Sequence, residues 1–184
     1  MKYDAQRHHR RSTRLAGYDY SQPGAYFVTI CTYNRELFLE VEQVKQIVRS
    51  AWDGLPARFP HVMLDEFVMM PNHIHGIIVF GTFAGVSLGS GEGAASSAPT
   101  NGPGSGDREV AASSAPTLGQ VVRAFKSLSA IESNRSTNKP ERQFWQRNYY
   151  DHIVRDEDEM NVIRQYIRDN PARWDQDPDN PANQ

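Results

Sequence analysis

The sequence predicts an α+β sandwich, one central antiparallel four-stranded sheet with helices on one face and a further helix at the C-terminal end. Three observations predict it: an alternating strand-like run at 25–33, two apolar runs broken at Pro71-Asn72, and three segments with apolar residues at helical spacing. The 184 residues, 39% of them hydrophobic and 23% charged, fit one compact domain with a real core.

Residues 1–24 read as a basic arm, with Gly17, Pro23 and Gly24 breaking any regular element before the first strand. Residues 25–33 (AYFVTICTY) alternate bulky, β-branched and aromatic side chains and read as that strand. Residues 42–52 place Val44, Ile47, Val48 and Trp52 on one helical face, ended near Gly54 and Pro56. Residues 62–70 and 74–80 form a hairpin, because Pro71 cannot donate to a central ladder and so belongs in the turn. From 81 to 117 the composition shifts to Gly, Ser, Ala and Pro, and AASSAPT occurs twice, at 94–100 and 111–117. Such a segment buries too little apolar surface to offset the entropy of ordering and reads as a flexible insertion. A second helix follows at 118–134, opened by Thr117 as N-cap, then a fourth strand at 144–154. A third helix spans 156–170, its acidic first turn suiting the helix dipole and Pro171 stopping it at Asn170. Residues 175–184 form an acidic tail. The order strand, helix, strand, strand, helix, strand, helix is the split βαβ pattern of a ferredoxin-like or RNA-recognition-like sandwich.

No apolar run reaches the ~20 residues that cross a bilayer, and the polar, basic start lacks the apolar stretch of a signal peptide, so a cytoplasmic protein is expected. Lone Cys31 can form neither an internal disulfide nor a cysteine metal site, which argues against redox chemistry. The net charge of -2 conceals an uneven distribution. Lys2, Arg7, Arg10, Arg11 and Arg14 crowd the start; Lys126, Arg135, Lys139, Arg142 and Arg147 form a second basic stretch; Asp175, Asp177 and Asp179 offset them near the end.

The most specific local feature is Pro71-Asn72-His73-Ile74-His75. On a strand, His73 and His75 point to the same face and their rings can converge on one ion. The alternative is two histidines in ordinary hydrogen bonds. Tyr166 and Asn170, four residues apart, share one face of the last helix. Tyr166 is either a phenolate nucleophile or a core aromatic; Asn170 either lends an amide oxygen to a metal or caps the helix.

MPNHIHGIIVF, FWQRNYYDHIVRDEDEM and IRQYIRDNPARW together resemble the single-tyrosine HUH transposases, in particular the REP-associated tyrosine transposases, over roughly residues 17–174. The resemblance implies a divalent metal, Mg²⁺ or Mn²⁺, on His73 and His75, with Asn170 as third ligand and Tyr166 as nucleophile on the C-terminal catalytic helix. It implies cleavage of single-stranded or hairpin DNA through a 5'-phosphotyrosine, with strand transfer and association with the nucleoid. Arg7, Arg10, Arg11 and Arg14 would then track phosphates, Tyr18 or Tyr20 would stack on a base, and Lys126 would contact DNA near the site. Relatives include dimers whose helix donates its tyrosine to the partner's histidines and monomers that work in cis, so a homodimer is one of two arrangements. A non-catalytic hairpin-binding or RNA-recognition-like module and a nuclease using activated water are the competing readings.

Overall fold

In the computed structural model, the described residues are 18–81 and 116–183. Most of the basic arm and all but the ends of the 81–117 insertion lie outside them. Four antiparallel strands, β1 (Gly24–Cys31), β2 (Val62–Met70), β3 (His73–Phe80) and β4 (Tyr150–Val154), form one sheet in the order β2-β3-β1-β4. Chain order and spatial order together make the split βαβ sandwich that the sequence predicts.

Side-chain alternation divides the sheet into two faces. On one, Tyr26, Val28 and Ile30 of β1 and Ile74, Ile78 and Phe80 of β3 meet helices α1 (Glu42–Asp53) and α3 (Leu118–Ser136) through Val44, Val48, Trp52, Val121, Val122 and Phe125. On the other, Phe27 and Ile77 meet helix α4 (Glu157–Asp169) through Ile163 and Ile167. Side-chain caps open α3 and α4. Thr117 and Gln120 form a reciprocal capping box at the start of α3, and Asp156 accepts from the Glu159 amide at the start of α4.

The structure shifts several sequence-derived boundaries. After α1 the chain makes one more short helix, α2 (Leu55–Arg58), because Pro56 sits in a first turn, where its missing N–H leaves nothing unsatisfied. The strand expected at 144–154 begins only at Tyr150. Phe144 and Trp145 instead pack into the core beneath α1 and α3, and a single isolated bridge, Trp145 to Thr32, is the ladder pairing in the stretch before Tyr150. Asn170 does not end the helical path: it keeps helical angles (φ -55, ψ -45) and leads into a 3-10 turn at Pro171–Gln176. The Asn170 amide donates to the Tyr166 carbonyl at 2.7 Å, a bond that favours the conformation Pro171 disfavours. The acidic tail is also folded, with Asp179 and Asn180 buried.

Two details fix the parts next to the histidines. Gly76, between His75 and Ile77 in β3, lets the Trp52 ring lie directly on the strand; a Cβ there would stand 2.5 Å from Trp52 Cζ2. In β2, a bulge between Leu64 and Phe67 presents Asp65 and Glu66 to α4. Asp65 takes a bidentate pair from Arg164 (2.9 and 2.7 Å), and Glu66 accepts from Arg168 Nε at 2.9 Å. Burying Ile163 and Ile167 contributes about 1.5–3 kcal/mol each. The partly exposed ion pairs contribute about 1 kcal/mol or less each. Apolar packing therefore seats α4, while the ion pairs select its rotation and height over β2.

Gly76→Ala is expected to lower unfolding free energy by about 1–3 kcal/mol in chemical denaturation, through overpacking against Trp52. Asp65 is held below the usual carboxylate range, chiefly by the Arg164 hydrogen bonds. Its folded-state pKa lies below its unfolded value near ~3.9, so its contribution is complete above that value and disappears as pH falls through the folded one. The stability gap between wild type and Asp65→Asn should accordingly be widest near neutrality and close in acid; a gap unchanged down to pH 2 would show that the ion pair is not its source.

Candidate active site

The central hairpin brings the two histidines together. Met70 pairs with His73 across β2 and β3, and Cys31 and Thr29 pair with His73 and His75 across β1 and β3. Both imidazoles point to the α4 face and are almost fully buried, at 1% and 5% exposure. Their Nε2 atoms stand 3.1 Å apart.

Neighbouring side chains set the imidazole protons. Asn72 is fully buried, and its Nδ2 donates to the carbonyls of Arg35 (3.3 Å) and Asp179 (2.7 Å). Its Oδ1 must therefore face His73 Nδ1, 2.8 Å away, and accept a proton from it. That leaves the lone pair of His73 on Nε2, toward His75. Thr29 Oγ1 lies 2.8 Å from His75 Nδ1. A hydroxyl donates or accepts, so this bond survives in either His75 tautomer, including the one that turns both Nε2 lone pairs toward a shared cation.

The donor set fits a divalent ion. With metal–nitrogen bonds of about 2.1 Å at a right angle, two ligating nitrogens stand about 3.0 Å apart; here they are 3.1 Å apart. Asp177 adds a carboxylate oxygen 3.9 Å from His73 Nε2. Among the described residues no three His, Cys, Asp or Glu side chains close into a complete ligand cluster. The pair thus supplies two donors to a shell that amide, water or substrate oxygens would finish, an open arrangement rather than a structural one.

Tyr166 reaches this place from α4. Its ring lies 5.3 Å from the His75 ring and 5.9 Å from Phe27, edge-on to Phe27, while Phe27 stacks on His75 at 5.5 Å. Tyrosine and histidines meet within one chain. Burial pushes the Tyr166 phenol up, against the lowering effect of a hydrogen bond from the Asn170 side chain. Asn170 itself is buried; with Nδ2 donating to the Tyr166 carbonyl, its Oδ1 is the atom that could serve a cation. The arrangement so far is a strand-borne imidazole pair, a phenol one ring away, and an amide one turn further along.

Other residues singled out from sequence lie elsewhere. Tyr18 and Tyr20 pack edge to face (5.0 Å) beside Tyr26, against the core on the α1 and α3 face, with Tyr18 Oη 3.5 Å from Tyr26 Oη. They are half-buried packing residues on the side away from Tyr166. Lys126 Nζ donates to the carbonyls of Gln146 (2.5 Å) and Arg147 (2.9 Å), and burial lowers its pKa to about 8. It tethers the 146–147 backbone. Arg7, Arg10, Arg11 and Arg14 lie outside the described residues. Sequence reading missed Thr29, Asn72 and the stretch from Trp174 to Asp179. Trp174 sets its ring 6.2 Å from His73, and Asp179 pairs its carboxylate with Arg35.

If Asn72 holds the His73 tautomer, Asn72→Leu is expected to weaken Mn²⁺ binding about 10–100-fold in a direct titration, the usual effect of removing a residue that orients a ligating histidine.

Comparison with known proteins adds three findings. No family model matches the chain. A protein of Haemophilus influenzae, described only as uncharacterized, is 38% identical over 185 residues, covering 96% of both chains. The solved structure of a REP-associated tyrosine transposase bound to a REP hairpin superposes with a TM-score of 0.53 at 17% identity, over 88% of this chain and 73% of that one. The chain therefore belongs to one family with the Haemophilus influenzae protein and has the fold of a REP-associated tyrosine transposase.

Proposed function

We propose that the protein is a transposase-like, metal-dependent endonuclease and strand transferase acting on single-stranded or hairpin DNA. One observation carries this reading: a buried imidazole pair 3.1 Å apart lies one ring from a tyrosine on a different rigid element of the same chain. The likeness of fold to a transposase bound to a DNA hairpin supports the choice of substrate.

His73 and His75 would hold Mg²⁺ or Mn²⁺, with the Asn170 amide oxygen completing the protein share of the shell. When bound, the cation withdraws charge from a non-bridging phosphate oxygen and offsets the charge that develops at phosphorus. Tyr166 Oη forms the new bond to phosphorus as its proton leaves, and the bond to the 3' oxygen breaks. The 3' oxygen takes up a proton as the free hydroxyl, and the phosphate stays on Tyr166 as a 5'-phosphotyrosine. Attack of a second 3'-hydroxyl reverses these steps and joins a new strand without ATP. The raised phenol pKa keeps Tyr166 protonated at neutral pH, so its reactivity depends on the charged groups assembled around it.

The ring contact between Tyr166 and His75 supports work in cis, without a tyrosine from a second copy. No helix among the described residues is long and apolar enough to cross a membrane. A cytoplasmic protein meeting DNA at the nucleoid is part of the same proposal.

Incubation with a labelled hairpin oligonucleotide and Mn²⁺ is expected to give a covalent protein–DNA band that Tyr166→Phe abolishes and that His73→Ala reduces by at least ~100-fold. Cleavage without the band would mean hydrolysis by water, and retention without cleavage a binding module; either result overturns the transferase reading.

A further inference from the structure

On the side of the sheet away from Tyr166, α3 and the irregular segment 142–149 enclose a crevice of about 800 Å³. Four cations line it, Arg123, Lys126, Arg142 and Arg147, and no carboxylate does. This is unusual in a chain with a net charge of -2. Several arginines elsewhere sit beside a carboxylate: Arg49 with Asp53, Arg135 with Glu132, Arg164 with Asp65, Arg168 with Glu66 and Arg173 with Asp169. Among the described residues no carboxylate pairs with Arg123 or Arg147, and both are exposed.

Two of the four cations are held in place by neighbouring groups. Arg142 lies over the Phe38 ring at 4.2 Å and donates through Nε to Asn134 Oδ1 at 3.1 Å. Lys126 is held by the carbonyls of Gln146 and Arg147. Gln120, Gln143 and Gln146 add amide donors and acceptors to the wall. The floor is tied to the end of the sheet that carries the histidines: Tyr33 donates to the Phe144 carbonyl, and Gln146 donates to the carbonyl of Cys31, the residue paired with His73.

We infer that this crevice is a second nucleic-acid subsite, which holds a few nucleotides of the single-stranded DNA flanking the cleaved phosphate, with Arg123 and Arg147 on their phosphodiesters. The inference rests on the proposed reading of the protein as a DNA strand transferase and adds where the flank runs. The volume falls in the range of ~300–1,000 Å³ that encloses a compact ligand. Unpaired arginines beside amides suit an unpaired strand, with charge for the phosphates and hydrogen-bonding groups for base edges.

The test is fluorescence anisotropy on the full chain carrying Tyr166→Phe, so that binding is read apart from cleavage. Three probes are compared: a DNA hairpin with a single-stranded flank, the same hairpin with the flank removed, and an RNA copy of the flanked hairpin. The added double variant Arg123→Ala/Arg147→Ala is expected to weaken binding of the flanked DNA about tenfold and to reduce the slope of log affinity against log salt by about 1.4, or ~0.7 for each lost phosphate contact to a single strand. The blunt hairpin should lose little, Arg135→Ala should change nothing, and restoring charge with Arg123→Lys/Arg147→Lys should recover most of the salt slope. Circular dichroism of each variant reports folding, and recovery with the lysine pair separates lost charge from lost structure.

An unchanged affinity and slope for the double alanine variant overturns the subsite. So does an equal loss on the blunt hairpin, which would place the stem there, or tighter binding of the RNA copy. If wild type forms the covalent band while the double variant binds as before, the subsite fails and the transferase reading stands; if the variant loses flank binding but wild type forms no band, the reverse holds.

Discussion

The alternation of side chains along the central strand β3 is the constraint on which the rest depends. Because successive residues face opposite ways, His73 and His75 share the α4 face while Ile74, Gly76 and Ile78 belong to the α1 and α3 face. The strand is gripped from both sides: Trp52 lies on Gly76, and Phe27 stacks on His75. A slip of one residue in register would exchange the two sets, placing imidazoles in the main core and isoleucines under α4. The hydrophobic core that stabilises the fold therefore also dictates where the polar site stands.

The site combines burial with support. Removing two imidazoles from water is made less costly by the partners of their Nδ1 atoms, Asn72 for His73 and Thr29 for His75. Burial also holds the phenol in its neutral form. In the proposed reading, a phenol kept neutral beside the imidazole pair would react only when a cation and a substrate are both present. The ion pairs from the β2 bulge to α4 serve the same end by settling how far along the strand the tyrosine stands.

Much of this was readable from the order of residues. The strand and helix periods, the Thr117 cap and the turn at Pro71-Asn72 are local signals and survive in the structure with small shifts at their ends. The convergence of His73, His75 and Tyr166 was expected from motifs in the right order, and the structure brings the three together. What was not legible depends on pairing across long separations. Thr29 acquires its position only from the register of β1 against β3, and Asn72, though visible beside His73, gains its partners from residues 35 and 179. Trp145 misled because its aromatic bulk resembles a strand residue, whereas its indole N–H donates to Ser129 inside the helix layer. The ring contacts of Tyr18 and Tyr20 with each other and with Tyr26 were likewise not legible, since they depend on how the start of the chain folds back onto β1.

The hydrogen bond from Asn72 to the carbonyl of Asp179 spans 107 positions of the chain. The motif resemblance runs only to about Trp174, just past α4, and a shortened protein ending there would keep every strand together with His73, His75, Tyr166 and Asn170. It would nonetheless lose an anchor of the amide that orients His73, together with the carboxylate seated on Arg35. The effective border of this domain is set by hydrogen bonding rather than by secondary structure, and expression of the fragment would separate the ability to fold from the ability to organise the site.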